Sequence, residues 1–136
     1  MKTQPRTLPE LNELNREFWT SGKDGALKIY QCEDCKYFIH PPKPICPKCY
    51  SWTVNAVPIS GNGEIASFTI NYQKWKPDLE VPYALLIVEL EEQEGLRLTT
   101  NIVECEIDDI YIGMPVQIVF EHREDVYLPL FKPRKQ

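Results

Sequence analysis

Cys32 and Cys35 are separated by two residues, as are Cys46 and Cys49, and ten residues lie between the pairs. A tight turn between two such cysteines points both sulfurs to one side, and two turns of this kind complete a tetrahedron around one ion. The chemistry this implies is metal ligation. Four thiolates leave no open coordination position, so a zinc ion held by Cys32, Cys35, Cys46 and Cys49 is structural and activates no water. Iron would use the same four sulfurs and give a rubredoxin-like electron carrier, a coloured protein; the absence of a second cluster or redox partner favours zinc. A dithiol switch needs one pair, and the second pair argues against it. His40 lies in the loop between the pairs and reads as a loop residue beside a complete sulfur set. Cys105 stands alone between Val103 and Ile107 and reads as a buried structural thiol; His122 reads as a turn residue.

No other residues form a reactive set. The chain lacks a G-x-S-x-G elbow, an H-E-x-x-H motif and a phosphate-cradling glycine loop, and has two histidines. The acidic residues at 89, 91, 92 and 94 read as a solvated strand end. Independent enzymatic activity is therefore not expected. The net charge of −5 is unevenly spread: residues 1–55 carry eight basic and six acidic side chains, and residues 56–136 carry seven and fourteen. A polyphosphate backbone needs a basic face, so the second half, at −7, argues against nucleic acid. The rival reading, a single-stranded nucleic-acid binder, rests on Lys74, Trp75 and Lys76, a basic and aromatic cluster that suits one nucleotide better than a polymer. The same cluster reads equally as a solvent-facing hairpin loop. No run of about 20 apolar residues spans a bilayer, and the polar N-terminus lacks a secretory core, so a cytoplasmic protein is expected.

These groups need elements to hold them. Thr7-Leu-Pro-Glu10 has the pattern of a capping box, followed by Leu11, Leu14, Phe18 and Trp19 at helical spacing and a stop at Ser21-Gly22, predicting an amphipathic helix. Its stripe faces either its own core, the commoner case, or another protein. Ala26–Cys32 alternates as a strand and delivers the first sulfur pair. Trp52–Val57 is extended, and Pro58–Gly63 carries turn chemistry. Five strand-like runs follow, at 64–73, 83–91, 96–103, 116–121 and 126–131, with room for a helical turn at 107–113 between the third and fourth. Five strands with one helical element after the third is the plan of an OB-fold barrel. The chain is thus mainly β, organised as an N-terminal helix (1–25), a zinc ribbon (26–57) and an OB-fold (58–136).

Several residues in this order resemble a known family: Phe18-Trp19, the strand into Cys32, Pro41-Pro42-Lys43 before Cys46-Pro47-Lys48-Cys49, Trp52, Ser60-Gly-Asn-Gly63 and Phe68-Thr69. Pro82-Tyr83 entering an apolar strand and Ile112-Gly-Met-Pro-Val116 continue the likeness, which runs from about residue 10 to 132. The family is that of acyl-CoA-associated proteins pairing a rubredoxin-like zinc ribbon with an OB-fold, domain of unknown function family 35. The resemblance implies a non-catalytic companion of a thiolase-type acyl-CoA enzyme, in archaeal versions bridging acetoacetyl-CoA thiolase and HMG-CoA synthase, with CoA or acyl-CoA as a ligand. Under that implication Leu11, Leu14, Phe18 and Trp19 become a candidate docking surface, and Lys74, Trp75 and Lys76 a candidate site for the CoA nucleotide. Two departures stand out. Lys36 and Tyr50 occupy the positions after each pair where the family often has glycine, at a cost of about 1 kcal/mol each if the backbone is left-handed. Lys43 stands where arginine is common.

Overall fold

The computed structural model describes residues 8–75, 77 and 80–134. Its first element, α1 (Arg16–Trp19), is one turn long and is followed by a 3-10 turn at Ser21–Asp24. The expected short amphipathic helix is thus one turn long among the described residues and starts later than the cap at Thr7 implied; Thr7 itself lies outside the described residues. The cap that forms is Asn12 with Asn15. Asn15 N–H donates to Asn12 Oδ1 and Asn12 N–H donates to Asn15 Oδ1, both at 2.8 Å. This is capping-box reciprocity built from two asparagines, and it starts the helical bonding at Arg16 N–H to Asn12 O. Asn15 Nδ2 also donates to Glu10 O. Asparagine side chains compete with helical bonding in this way, which is why the helix begins late.

Three strands form the ribbon sheet in the order β2-β1-β3: β1 (Lys28–Cys32), β2 (Phe38–Ile39) and β3 (Val54–Pro58). The second sheet has the order β6-β5-β4-β7-β8, from β4 (Asn62–Asn71), β5 (Tyr83–Leu90), β6 (Arg97–Thr100), β7 (Pro115–Arg123) and β8 (Val126–Pro133). All pairings between named strands are antiparallel. A 3-10 turn at Ile107–Asp109 stands where the helical turn was expected. The strand alternation is a period-two pattern: on β5, Ala84, Leu86, Val88 and Leu90 are buried while Leu85 and Ile87 are exposed.

The third barrel run, expected to continue to 103, leaves β5 after Thr100. Ile102 instead bridges Phe131 in parallel, Val103 N–H donates to Phe131 O at 2.8 Å, and Phe131 N–H donates to Asn101 O at 3.2 Å. This crossing nearly closes the five strands into a barrel. Pro129 has no N–H to offer across the seam, and Thr100 Oγ1 donates to its carbonyl at 2.8 Å, a buried bond replacing a ladder rung. Gly63 fits the barrel because a Cβ there would collide with the Glu89 carbonyl. One apolar cluster unites both sheets: Leu27, Ile29 and Cys32 from the ribbon side, Ile65, Leu86, Val88, Val116 and Phe131 from the barrel, with Phe18 of α1.

Candidate metal centre and neighbouring surfaces

Each cysteine pair lies on a knuckle, and the two knuckles have the same backbone bonding. Lys36 N–H donates to Cys32 O and Cys32 N–H to Tyr37 O; Tyr50 N–H donates to Cys46 O and Cys46 N–H to Ser51 O, all between 2.9 and 3.0 Å. The turn this requires places Lys36 at φ 66° and Tyr50 at φ 62°, both left-handed. Neither residue is glycine, so each position costs about 1–2 kcal/mol. Ser51 Oγ donates to Asp34 and Asn55 Nδ2 to Glu33, lacing the second knuckle and β3 to the first.

The four sulfurs lie within 4.8 Å of one another. Across the knuckles, Cys32 to Cys49 and Cys35 to Cys46 are both 3.5 Å, far beyond a disulfide bond. A tetrahedral zinc site with Zn–S bonds of about 2.3 Å requires sulfurs about 3.8 Å apart, so the set fits that ion. Cys32 and Cys46 are buried, Cys35 and Cys49 exposed. Amide hydrogens prepare the buried pair for negative charge. The N–H groups of Cys35 and Asp34 pull the Cys32 thiol down to about 7. At Cys46 burial opposes ionisation, but the N–H groups of Cys49 and Lys48 outweigh it and lower the pKa; the Lys48 N–H is 3.4 Å from the sulfur. The Ser51 N–H also draws Cys49 down, yet sulfur–sulfur contact with Cys32 and burial together push it up to about 12. Without a cation the protons therefore concentrate on the outer sulfurs; a divalent ion would displace them.

The residues singled out beyond the sulfurs are dispersed. Leu14, Phe18 and Trp19 line a groove of about 1140 Å³ between α1, the His40-Pro41-Pro42 loop and the barrel seam. Phe18 is buried against the core, whereas Leu14 is exposed and Leu11 and Trp19 are half-buried. Lys74 and Trp75 stand apart from that groove on the β4–β5 loop; Trp75 is exposed and its Nε1 donates to Asn71 Oδ1 at 3.1 Å. Lys76 lies outside the described residues. His40 is a wall of the groove, its ring 4.9 Å from that of Phe18. Burial pushes its imidazole down to about 4, and its buried Nδ1 has no partner among the described residues. Cys105 is half-buried, its pKa raised by burial and by the charges of Asp109 and Glu106. His122 stacks on Tyr127 across the β7–β8 hairpin at 4.1 Å.

The acidic strand end at 89–94 does structural work that the sequence did not signal. Glu89 pairs with Arg97, and Glu92 accepts from Ser60 N–H. Gln93 places its amide against the edge of β2, accepting from Phe38 N–H at 2.9 Å and donating to Phe38 O at 3.0 Å. One side chain thus imitates a neighbouring strand and fastens the ribbon to the barrel. No local pattern predicts a partner 55 residues away. The Asn12-x-x-Asn15 cap, by contrast, was readable as a capping-box variant. Among the described residues no helix is long and apolar enough to cross a membrane.

Comparison with known proteins places both halves. Residues 19–52 match the family model described as the ChsH2 rubredoxin-like zinc ribbon domain, and residues 56–121 match that of the ChsH2 C-terminal OB-fold domain. A DUF35 domain-containing scaffold protein of Methanocaldococcus jannaschii is 37% identical over 98 residues, 70% of this chain and 68% of the relative. A probable enoyl-CoA hydratase alpha subunit of Thermomonospora curvata is 37% identical over 129 residues, covering 94% of this chain; the chain spans only 40% of that protein's length. Among solved structures, one described as the Ltp2-ChsH2(DUF35) aldolase superposes with a TM-score of 0.82 at 36% identity, covering 93% of this chain and 98% of the matched one.

Proposed function

The chain belongs to the DUF35 family of paired zinc-ribbon and OB-fold domains, and on that footing we propose that it is a non-catalytic subunit of an acyl-CoA enzyme. The likeness over 98% of a chain from an aldolase structure carries this reading. Two physical features support it. The four-sulfur set is saturated when it holds one ion, so zinc there braces the ribbon and offers no position to a reactant. Three glutamates at the β5–β6 turn are engaged in structural bonds: Glu89 with Arg97, Glu91 with Asn62, and Glu92 with Ser60.

A thiolase-type partner, with HMG-CoA synthase bridged to it as in archaeal relatives, is the finer version of this reading, and it rests on the resemblance of the sequence. Leu14 with the exposed parts of Leu11 and Trp19 would meet an enzyme surface, while Phe18 anchors α1 beneath them. Lys74 and Trp75, joined by Lys76, would receive the nucleotide end of CoA: the indole face stacks adenine and the ammonium groups meet phosphates. Purification from native extract under mild conditions, followed by identification of the co-eluting chains, tests the subunit role. An acyl-CoA enzyme in stoichiometric amount is the expected result; a chain that elutes alone, and binds neither such an enzyme nor acetyl-CoA in calorimetry, refutes it.

A further inference from the structure

The barrel seam leaves one strand edge open beside the groove. Leu90 N–H donates to Leu96 O at 2.8 Å, which makes Leu90 and Leu96 a hydrogen-bonded pair of the β5–β6 ladder. Bonding alternates along antiparallel strands, so Leu98 and Thr100 turn their backbone groups to β5, while Arg97 and Thr99 turn theirs away, toward β8. At Asn101 this edge is met, since Phe131 N–H donates to its carbonyl. Ahead of it β8 offers no rung: Pro129 has no N–H, and its carbonyl already accepts from Thr100 Oγ1. The backbone groups of Arg97 and Thr99 thus have no partner among the described residues. Both residues line the groove whose opposite wall carries Leu14, Phe18 and Trp19.

The groove is acidic when its charged neighbours are set against their partners. Four of them line it, Glu80, Arg97, Glu104 and Glu121; the arginine pairs with Glu89, and Glu121 pairs with Arg123. Glu104 is exposed, and Glu106, Asp108 and Asp109 follow it on the same loop, also exposed. Their field reaches inside: Cys105 lines the groove, and its pKa is raised by burial and then by Asp109 and Glu106. Beside α1, Arg16 stands among Glu10, Glu13 and Glu17. On the ribbon loop Lys43 follows Pro42, whereas His40, pushed down to about 4 by burial, is uncharged at neutral pH.

We propose that the groove takes an extended segment of the partner acyl-CoA enzyme, which adds to the open edge of β6 as a further strand, seats apolar side chains between α1 and the barrel, and sets a lysine or arginine against Glu104. The proposal rests on the subunit role argued above and names a surface that performs it. A strand added to an exposed edge is held by main-chain bonds, and its alternate side chains fill the pockets beside that edge. The N–H and C=O of Thr99 supply the bonds, and Leu14, Phe18 and Leu130 supply apolar walls. Charge decides between a peptide and a nucleotide. Phosphates would meet the carboxylates of residues 104–109 with repulsion, and a basic side chain would meet them with attraction.

The test uses the full zinc-loaded chain and the purified acyl-CoA enzyme that co-elutes with it. Hydrogen exchange on the wild type, free and in complex, reads the edge directly. The Thr99 amide is expected to exchange fast in the free chain and at least tenfold more slowly in the complex, while the Leu98 and Thr100 amides, already bonded to β5, change little. Two variants add affinity. Thr99→Pro removes an N–H that the barrel does not use, a place where an edge strand tolerates proline, and is expected to weaken binding tenfold or more. Glu104→Lys keeps a left-handed backbone that Lys36 also adopts, and is expected to weaken binding most at low salt. A complex in which the Thr99 amide stays fast overturns the groove and leaves the subunit role standing, even if Thr99→Pro fails to fold. A wild-type chain that binds no acyl-CoA enzyme overturns both. Slowing of the Thr99 amide by acetyl-CoA alone overturns the peptide in favour of a small ligand.

Discussion

His40 shows how a single residue ties the ribbon loop to pH. Its imidazole titrates near 6.5 in an unfolded chain and is pushed down to about 4 here by burial. Between those values the unfolded chain binds more protons, so stability rises as pH goes from 4 to 6.5 and is level above. The full gap corresponds to at most about 3 kcal/mol, reduced by the ring's partial exposure. Urea unfolding of wild type and His40→Gln between pH 4 and 7 checks this. The difference between them should move in favour of wild type up to pH 6.5, and acid release of metal cancels in the comparison. A pH-independent difference would count against a buried neutral imidazole. The same residue shows the limit of reading by type: its place in a loop with four cysteines present told against ligation, but its burial against Phe18 depends on α1 packing over the loop.

Among the elements, the contact between β2 and the β5–β6 turn is a polar fastening of the ribbon to the barrel. Gln93 satisfies both backbone groups of Phe38, and truncation leaves them without that partner. Gln93→Ala is expected to cost about 1–3 kcal/mol. Denaturant titration reads the loss, and hydrogen exchange should show faster exchange at the Phe38 amide with little change on β4 and β5. The strands themselves were legible because alternation of apolar and polar residues is a local signal, and β4, β5, β7 and β8 lie within a few residues of their expected places. The helix was not. Leu11, Leu14 and Phe18 have helical spacing, yet two asparagines bond to each other across the first turn and postpone its start.

For the whole molecule, the metal and the barrel divide the burden of folding. The ribbon has a two-residue strand and a five-residue strand on either side of β1, too little to stand alone. Zinc at such a site contributes about 10 kcal/mol or more of folding free energy. Chelation is therefore expected to open the ribbon first, with the amides of Lys36 and Tyr50, bonded to Cys32 and Cys46, losing protection. The barrel core of Ile65, Leu86, Val88, Val116 and Phe131 should keep most of its protection. Hydrogen exchange with and without chelator measures both; equal protection of the knuckles in the two states would contradict a metal brace.

Legible along the chain is whatever is written in short distances: two knuckles, their saturated sulfur set, and five barrel strands in order. Spacing and periodicity suffice there because the interacting atoms are a few residues apart, or repeat every second residue. The departure at Lys36 and Tyr50 was legible through the family resemblance, and both residues take the left-handed backbone. Packing in three dimensions settles that Thr100 answers Pro129, that Ile102 closes onto Phe131, that Gln93 holds Phe38, and that Tyr50 and Trp52 stand in solvent while Phe18 does not. Each of these joins or separates residues far apart in the chain, and the free energy that selects among such pairings comes from the packing of the whole core, which no local stretch encodes.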